Sequence, residues 1–355
     1  MTRVLYIGGT GEISLACVEQ AVAAGHRVSV FNRGNHTALL PEAVEVINGD
    51  LGDESSYLKL AKRKFDVVCQ FLMFNPDAMQ RDIEIFANQC EQYIFISSAS
   101  AYEKPCRDPI ITEATPLANP YWAYARKKVA CEALLANANA SGRLAATIVR
   151  PSHTYRTRLP GTVIDGDHQA WRILQGKPVI VHGDGQSLWT LTHSADFARA
   201  FVQLCGNPKA LGETFHITDS RAHTWDLILQ LTADILGREA KILHVPTDNL
   251  VRYNADWSGP LRGDKSNSVV FDNAHIDVTV GGWQCEIPLR EGLRLASMHV
   301  SKRLSSGYKP CSCRQCMLCI QSRRLEFHTL VVLSSDSQAC RAFTGFLIWT
   351  TRKAR

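Results

Sequence analysis

The stretch YIGGTGEIS, residues Tyr6–Ser14, decides how the rest of the chain is read. Gly8, Gly9 and Gly11 fall in a turn that nearly spells a phosphate-cradling loop, but Ser14 stands where a third spaced glycine would be. Before the turn, RVLYI is a short apolar run; after it, Ile13, Cys17, Val18, Ala21 and Val22 recur at helical spacing up to Gly25, a natural C-terminal stop. RVSVFN then reads as a second strand. This order of strand, glycine turn, helix and strand within roughly thirty residues is the setting in which such a loop holds a dinucleotide. In it Gly8 makes the tight turn and Gly11 lets the backbone approach a pyrophosphate. A helix starting near Glu12 offers its free N–H groups to the phosphates, and Ser14 is small enough to let helix and strand pack.

The alternation continues through AVEVING, FDVVCQFL, QYIFISS and AATIVRP, each a buried-strand pattern separated from the next by a helical one. It predicts an α/β fold, a Rossmann-type doubly wound parallel sheet with a smaller C-terminal substrate-binding lobe. The expected division is a dinucleotide-binding domain over 1–150, a partly interleaved substrate lobe over 151–297, and a basic, Cys-rich and poorly ordered tail over 298–355.

Composition agrees with a globular body. The 355 residues are 45% hydrophobic and 21% charged, enough to bury a full core. No charged start with an apolar segment precedes the first strand, and no apolar run approaches the roughly 20 residues that span a bilayer. The chain therefore reads as soluble and cytoplasmic, with no membrane partner. Cys17, Cys69, Cys90, Cys106, Cys131, Cys205 and Cys285 lie scattered among apolar neighbours, as reduced core thiols do. The net charge of +5 is misleading, because residues 301–355 hold ten Lys or Arg against Glu326 and Asp336. The remaining body is mildly acidic, which argues against nucleic acid as a partner. In the tail, Cys311, Cys313, Cys316 and Cys319 are too closely spaced for the usual paired zinc knuckle, and no metal is expected.

A second motif carries chemistry. In YWAYARKKVACE, Tyr124 and Lys128 stand four apart, on one face of a helix. It follows FISSASAY, whose Ser97 and Ser98 end the fifth strand at the carboxyl edge of the sheet, where α/β folds bind ligands.

With these residues in place the chain resembles the extended short-chain dehydrogenase/reductases, grouped as NAD-dependent epimerases/dehydratases, over roughly residues 3–297. The resemblance rests on GGTGEIS, NGDL, FISSASAY, Tyr124 with Lys128, VRPSHTY, THSADFARAF and the late RGDKSNSVVFDNAHIDVTVGGW. It implies Tyr124 as general acid/base, Lys128 lowering its pKa and binding the nicotinamide ribose, and Ser98 bonding the reacting oxygen. It also implies cofactor contacts from Gly8, Gly9, Thr10, Gly11, Glu12, Ile13, Asn32, Arg33, Asp50, Leu51, Phe71, Pro151 and Ser152. A free tyrosine loses its proton near pH ~10, so a nearby cation is needed to make its phenolate available at neutral pH.

Departures from the family sharpen the reading. After the second strand, where an acid would grip the ribose of NAD, stand Asn32 and Arg33, which tilts the cofactor choice between NAD and NADP toward NADP. Ala99 and Ser100 follow Ser98 where dehydratases carry acids, so redox chemistry or epimerisation is expected rather than loss of water. Trp189 falls where an arginine would grip a diphosphate, and an aromatic ring cannot neutralise one; Arg156, Arg158 or Arg262 would have to compensate. His153, Trp189 and Arg262 are taken as substrate-binding candidates, and His193 as a structural hydrogen-bonder. The expected function is an NAD(P)-dependent oxidoreductase or epimerase moving hydride at a secondary alcohol or ketone carbon of a small, sugar-like substrate, with a homodimer left open. The alternative is a non-catalytic, cofactor-binding regulatory or RNA-associated protein on the same fold.

Overall fold

The computed structural model describes residues 1–305; the Cys311–Cys319 cluster and all but the start of the basic tail lie outside the described residues. Among the described residues twelve strands are formed: β1 Arg3–Ile7, β2 Arg27–Asn32, β3 Glu45–Asn48, β4 Val67–Gln70, β5 Gln92–Ile96, β6 Ala146–Pro151, β7 His153–Tyr155, β8 Val179–His182, β9 Leu188–His193, β10 Thr214–Ile217, β11 Ala222–Thr224 and β12 Ile242–Val245. Seven make one sheet in the order β10-β6-β5-β4-β1-β2-β3, every pair parallel.

Parallel strands are covered on both faces, which is why they read as unbroken apolar runs. In β1, Val4 and Tyr6 point to a core with Val28, Val30, Cys69, Ile94 and the helices Ser14–Ala23 and Ser194–Leu204. Leu5 and Ile7 point to the opposite core with Phe31, Val68, Tyr93 and the helices Pro76–Phe86 and Ala123–Ala140. Successive side chains of a strand face opposite ways, so one four-residue run feeds both cores. The direction of winding reverses between β1 and β4, and the crevice beyond their carboxyl ends is the topological switch point at which such sheets bind ligands.

A third core builds the smaller lobe around β11-β9-β7 and β12-β8, with Trp189, Trp225, Val179, Val181 and Ile228. The helix Leu289–Ser305 closes it, burying Leu289, Leu293, Ala296 and Val300. This corrects the boundary drawn at residue 297. The helix runs through it, because its buried stripe continues to Val300 and the partly buried Leu304, and Arg303 pairs with the buried Asp167 at 2.8 Å.

All seven cysteines of the described residues are free; Cys17, Cys69, Cys131 and Cys205 are buried and the other three half-buried. Among the described residues no helix is long and apolar enough to cross a membrane.

Candidate active site

The glycine turn leaves β1 at the switch point. Gly8 has φ +88°, a left-handed conformation, donates its N–H to Phe31 O at 3.0 Å, and faces Leu72 so closely that any side chain would collide. Gly9 packs against Val30, 2.7 Å from where a Cβ would lie. Gly11 is different. Its φ is not left-handed, and an added Cβ would meet only Ser14 Oγ, at 3.3 Å. The fold itself asks little of glycine there, which leaves approach of an outside group as the reason for it.

Ser14 does more than fit. Its buried hydroxyl accepts the Gly11 N–H at 2.9 Å, stapling the loop to the first turn of the helix. That helix begins at Ser14 rather than near Glu12. Among the described residues the backbone N–H groups of Thr10, Glu12 and Ile13 have no protein partner. Free donors before a helix N-terminus, beside a glycine with open space, fit a pyrophosphate.

The Glu12 side chain is engaged within the protein, leaving its backbone N–H as the group that faces the loop's open side. Its carboxylate accepts the backbone N–H groups of Arg156 (3.1 Å), Thr157 (2.8 Å) and Arg158 (3.3 Å), together with the Thr157 hydroxyl. Four converging donors hold the carboxylate on the loop after β7.

The other predicted cofactor residues lie along the same carboxyl edge. Asn32 ends β2, its Oδ1 accepting the Gly34 N–H at 2.8 Å while its buried Nδ2 has no partner. Arg33 is exposed and makes no side-chain bond among the described residues. Asp50 caps Gly52 at 2.8 Å, and Leu51 offers its carbonyl to Arg81 at 3.3 Å. Phe71 follows β4, stacked on Tyr6 with ring centroids 6.0 Å apart. Pro151 closes β6, and the Ser152 hydroxyl donates to Thr190 O at 3.0 Å.

Across the crevice, β5 ends at Ile96 and the chain turns through Ser97–Ala101. The Ser97 hydroxyl is spent on Glu132, itself ion-paired with Arg150 at 2.6 Å. Ser98 is half-buried, shares a bond with the Ser100 hydroxyl at 2.9 Å and is the neighbour that lowers the Tyr124 pKa. Burial raises the Tyr124 pKa above that of an ordinary phenol, while Ser98 pulls it down.

Lys128 departs from the expected pairing. Its buried ammonium donates to Met73 O (2.8 Å) and Ile96 O (2.7 Å), and lies 5.7 Å from the centre of the Tyr124 ring. Two carbonyls draw the amine away from the phenol, and burial lowers its pKa to about 7. The phenol's stabilising neighbour in this structure is Ser98, not Lys128.

The substrate candidates separate. Trp189 is not a lining residue: it is 2% exposed, packed on Trp225 at 5.3 Å, with its indole N–H on His153 Nδ1 at 3.1 Å. Arg262 pairs with Asp248 (2.8 Å), Arg156 with Glu19 (2.8 Å) and Arg158 with Asp165 (3.7 Å), so each guanidinium has an acid beside it, although the buried Nη1 of Arg156 has no hydrogen-bond partner. His153 stays half-buried at the start of β7. His193 accepts the Ala195 N–H at 3.3 Å and caps the helix Ser194–Leu204, a structural role.

One group escaped the sequence reading. Asp264 lies in the turn Leu261–Lys265, whose Gly263 carbonyl is tied by Asn119 to Ser100 O, at 2.6 and 2.7 Å. Its carboxylate has no hydrogen bond among the described residues, acts on Tyr124 by charge, and is raised by burial to about 6. The signal was present in RGDK, but a lone Asp beside glycine reads first as a turn residue.

The 2'-dehydrokanamycin reductase of Streptomyces kanamyceticus is 29% identical over 255 residues, 69% of this chain and 70% of that protein. The chloroplast stem-loop binding protein of 41 kDa b of Arabidopsis thaliana is 27% identical over 316 residues, covering 82% and 77%. In structure, the Thermus thermophilus UDP-glucose 4-epimerase in complex with NAD superposes with a TM-score of 0.68 at 21% identity, covering 84% of this chain and 99% of that one. Residues 4–218, more than half of the chain, match the model of the NAD dependent epimerase/dehydratase family, and the chain belongs to that family.

Proposed function

We propose that the chain is an NAD(P)-dependent oxidoreductase or epimerase acting at a secondary alcohol or ketone carbon of a small, sugar-like substrate. The observation that carries this reading is the grouping of Ser98, Tyr124 and Lys128 at the carboxyl edge of a switch-point crevice whose glycine loop holds free N–H donors. The relatives' names add weight to a sugar-like substrate.

When bound, the nicotinamide supplies a hydride acceptor or donor. The N–H groups of Thr10, Glu12 and Ile13 would hold its pyrophosphate, and Asn32 Nδ2 is a donor in want of an acceptor at the adenosine end. Arg33, free and exposed with no acid beside it, favours NADP over NAD. Tyr124 takes or returns the proton of the reacting oxygen while Ser98 bonds that oxygen and orients it. Lys128, whose ammonium two carbonyls hold 5.7 Å from the centre of the Tyr124 ring, would serve the nicotinamide ribose. Ala99 and Ser100 after Ser98 leave that segment without the acid that would help expel water.

Mass spectrometry of the nucleotide that co-purifies, with its redox state, tests the cofactor. Turnover followed by reduced-nicotinamide absorbance, with UDP-glucose and NAD⁺ or kanamycin and NADP⁺ as probes, tests the reaction. Absence of any bound or binding nicotinamide nucleotide would reject it.

A second reading has one observation in its favour, the similarity to a stem-loop binding protein over most of the chain. On that reading the fold binds RNA without catalysis. The mildly acidic body opposes it, and salt-dependent RNA binding in a protein lacking turnover would establish it.

A further inference from the structure

His153 is the first residue of β7, three past Arg150, on the segment leaving the sheet edge beside Ser97, whose N–H bonds Val149 O at 2.7 Å. The Trp189 indole N–H reaches its Nδ1 at 3.1 Å. An indole nitrogen can only donate, so Nδ1 must present a lone pair and the ring must carry its proton on Nε2. Burial and the charge of Lys265 keep the imidazole neutral, lowering its pKa to about 3. Lys265 itself is spent on Gly161 O (2.5 Å) and Thr162 O (2.9 Å), and the neighbouring His182 on Lys265 O (2.8 Å). His153 Nε2 has no protein partner among the described residues, and it is not among the sealed, unsatisfied atoms of the core.

We propose that Trp189 locks His153 as a neutral imidazole protonated on Nε2, and that this fixed N–H is the group that reads a neutral oxygen, hydroxyl or carbonyl, on the substrate. The inference rests on the proposed function for its substrate and on geometry alone for the lock. A neutral donor suits a sugar oxygen better than a phosphate, and Arg156, Arg158 and Arg262 are all paired with acids. Trp189 is then a positioning residue, acting through His153 from within the core.

The lock is tested on full-length protein labelled with nitrogen-15 histidine. The expected wild-type spectrum shows His153 Nδ1 unprotonated and Nε2 protonated, with no titration from neutral to mildly acidic pH. In Trp189→Phe, which keeps a ring and loses the N–H, His153 should show mixed tautomers, still without titrating in that range because burial and Lys265 are unchanged. A wild-type proton on Nδ1, or a variant spectrum identical to wild type, overturns the lock.

The donor role is read with the same two probe pairs, UDP-glucose with NAD⁺ and kanamycin with NADP⁺. His153→Phe should lower kcat/KM by about tenfold or more with cofactor affinity unchanged. His153→Asn, whose amide N–H can donate, should recover part of the loss. Unchanged kcat/KM in His153→Phe overturns the donor role. If wild type turns over neither probe, the functional reading fails at that point while the nitrogen shifts still decide the lock.

Discussion

Glu12 of the glycine loop accepts the backbone N–H of Thr157 at 2.8 Å, from a residue 145 positions later in the chain. With the neighbouring N–H groups of Arg156 and Arg158 it makes the cofactor loop and the first loop of the substrate lobe one hydrogen-bonded unit. Ser194 reinforces it by donating to Glu12 O at 2.7 Å and Tyr155 O at 3.1 Å. Glu12→Ala strands three backbone donors and the Thr157 hydroxyl and should cost about 1–3 kcal/mol of stability. Cofactor affinity should fall with it, because the loop loses its outer support, and Glu12→Gln should sit between. Calorimetric Tm with cofactor Kd checks this, and an alanine variant with unchanged Tm would show that the clamp contributes nothing.

Tyr124→Phe removes one hydroxyl and keeps the ring between Trp122, at 4.9 Å, and Phe74, at 6.1 Å. Turnover should fall by about 10²–10⁴-fold with cofactor Kd unchanged. Lys128→Met should also be inactive, but its stability should move the other way. A lysine whose pKa is pushed from 10.5 to about 7 by burial costs the fold stability at every pH below the higher value. The methionine variant should therefore have an equal or higher Tm at neutral pH. Retained kcat in Tyr124→Phe would remove the acid/base assignment.

Three histidines with lowered pKa values make the fold sensitive to acid. His153, His182 and His216 are lowered to about 3, 4 and 4, in each case chiefly by burial. An unfolded histidine takes its proton near pH ~6.5. Between that value and about 4 the unfolded chain binds more protons than the native one, so stability present above the window is lost as pH falls through it. Each contributes a slope of up to ~1.4 kcal/mol per pH unit. Asp264 opposes them: raised to about 6, its contribution is present below the unfolded value near 3.8 and lost as pH rises through 6. Three groups outweigh one, and Tm should drop on acidification across this window. Asp264→Asn should be more stable than wild type at neutral pH, the gap closing as pH falls. A Tm independent of pH across the window would contradict the burial of these rings.

What the sequence made legible follows from the range of the interactions involved. The doubly wound sheet could be read because its strands are buried on both faces and announce themselves as apolar runs. Tyr124 and Lys128 could be paired because four residues is one helical turn. The Glu12 clamp could not be read because its partners lie across the chain, where no local pattern points. Trp189 was aligned with a substrate contact, yet its ring turns into the core against Trp225, a contact between β9 and the helix Trp225–Ile235. The boundary at 297 failed because Ser301, Lys302 and Arg303 look like the onset of a polar tail. In the fold they are the last turn of a helix whose apolar stripe continues to Leu304.

Ser14 and Gly11 give opposite expectations for loop variants. Ser14→Gly removes the hydroxyl that holds the Gly11 N–H, and should cost about 0.5–1.5 kcal/mol of stability. It also frees that N–H for a ligand, so cofactor affinity should hold or improve. In Gly11→Val the fold has room for the Cβ apart from a 3.3 Å approach to Ser14 Oγ, so Tm should change little while cofactor binding is lost. Equal cofactor affinity in the two variants would mean the loop is only a turn.

Arg303 ties the end of the last helix to the same region. Its guanidinium bonds the carboxylate of Asp167, which is 3% exposed, at 2.8 Å, and donates to Thr157 O at 2.8 Å on the loop that Glu12 holds from the other side. Removing the arginine leaves a buried acid without its cation, whose pKa burial and Asp165 already push upward. Breaking a buried pair on one side costs about 3–5 kcal/mol, and the figure here should fall below that because Arg303 is partly in solvent. Arg303→Ala should lower Tm clearly, and adding Asp167→Asn should restore part of the loss by removing the stranded charge. A chain cut before Ser301 should show at least the deficit of Arg303→Ala, since it also loses Leu304. One cut after Ser305 should keep the wild-type Tm and cofactor affinity. If the shorter chain melts like the longer one, the last turn is ornamental and the original boundary stands.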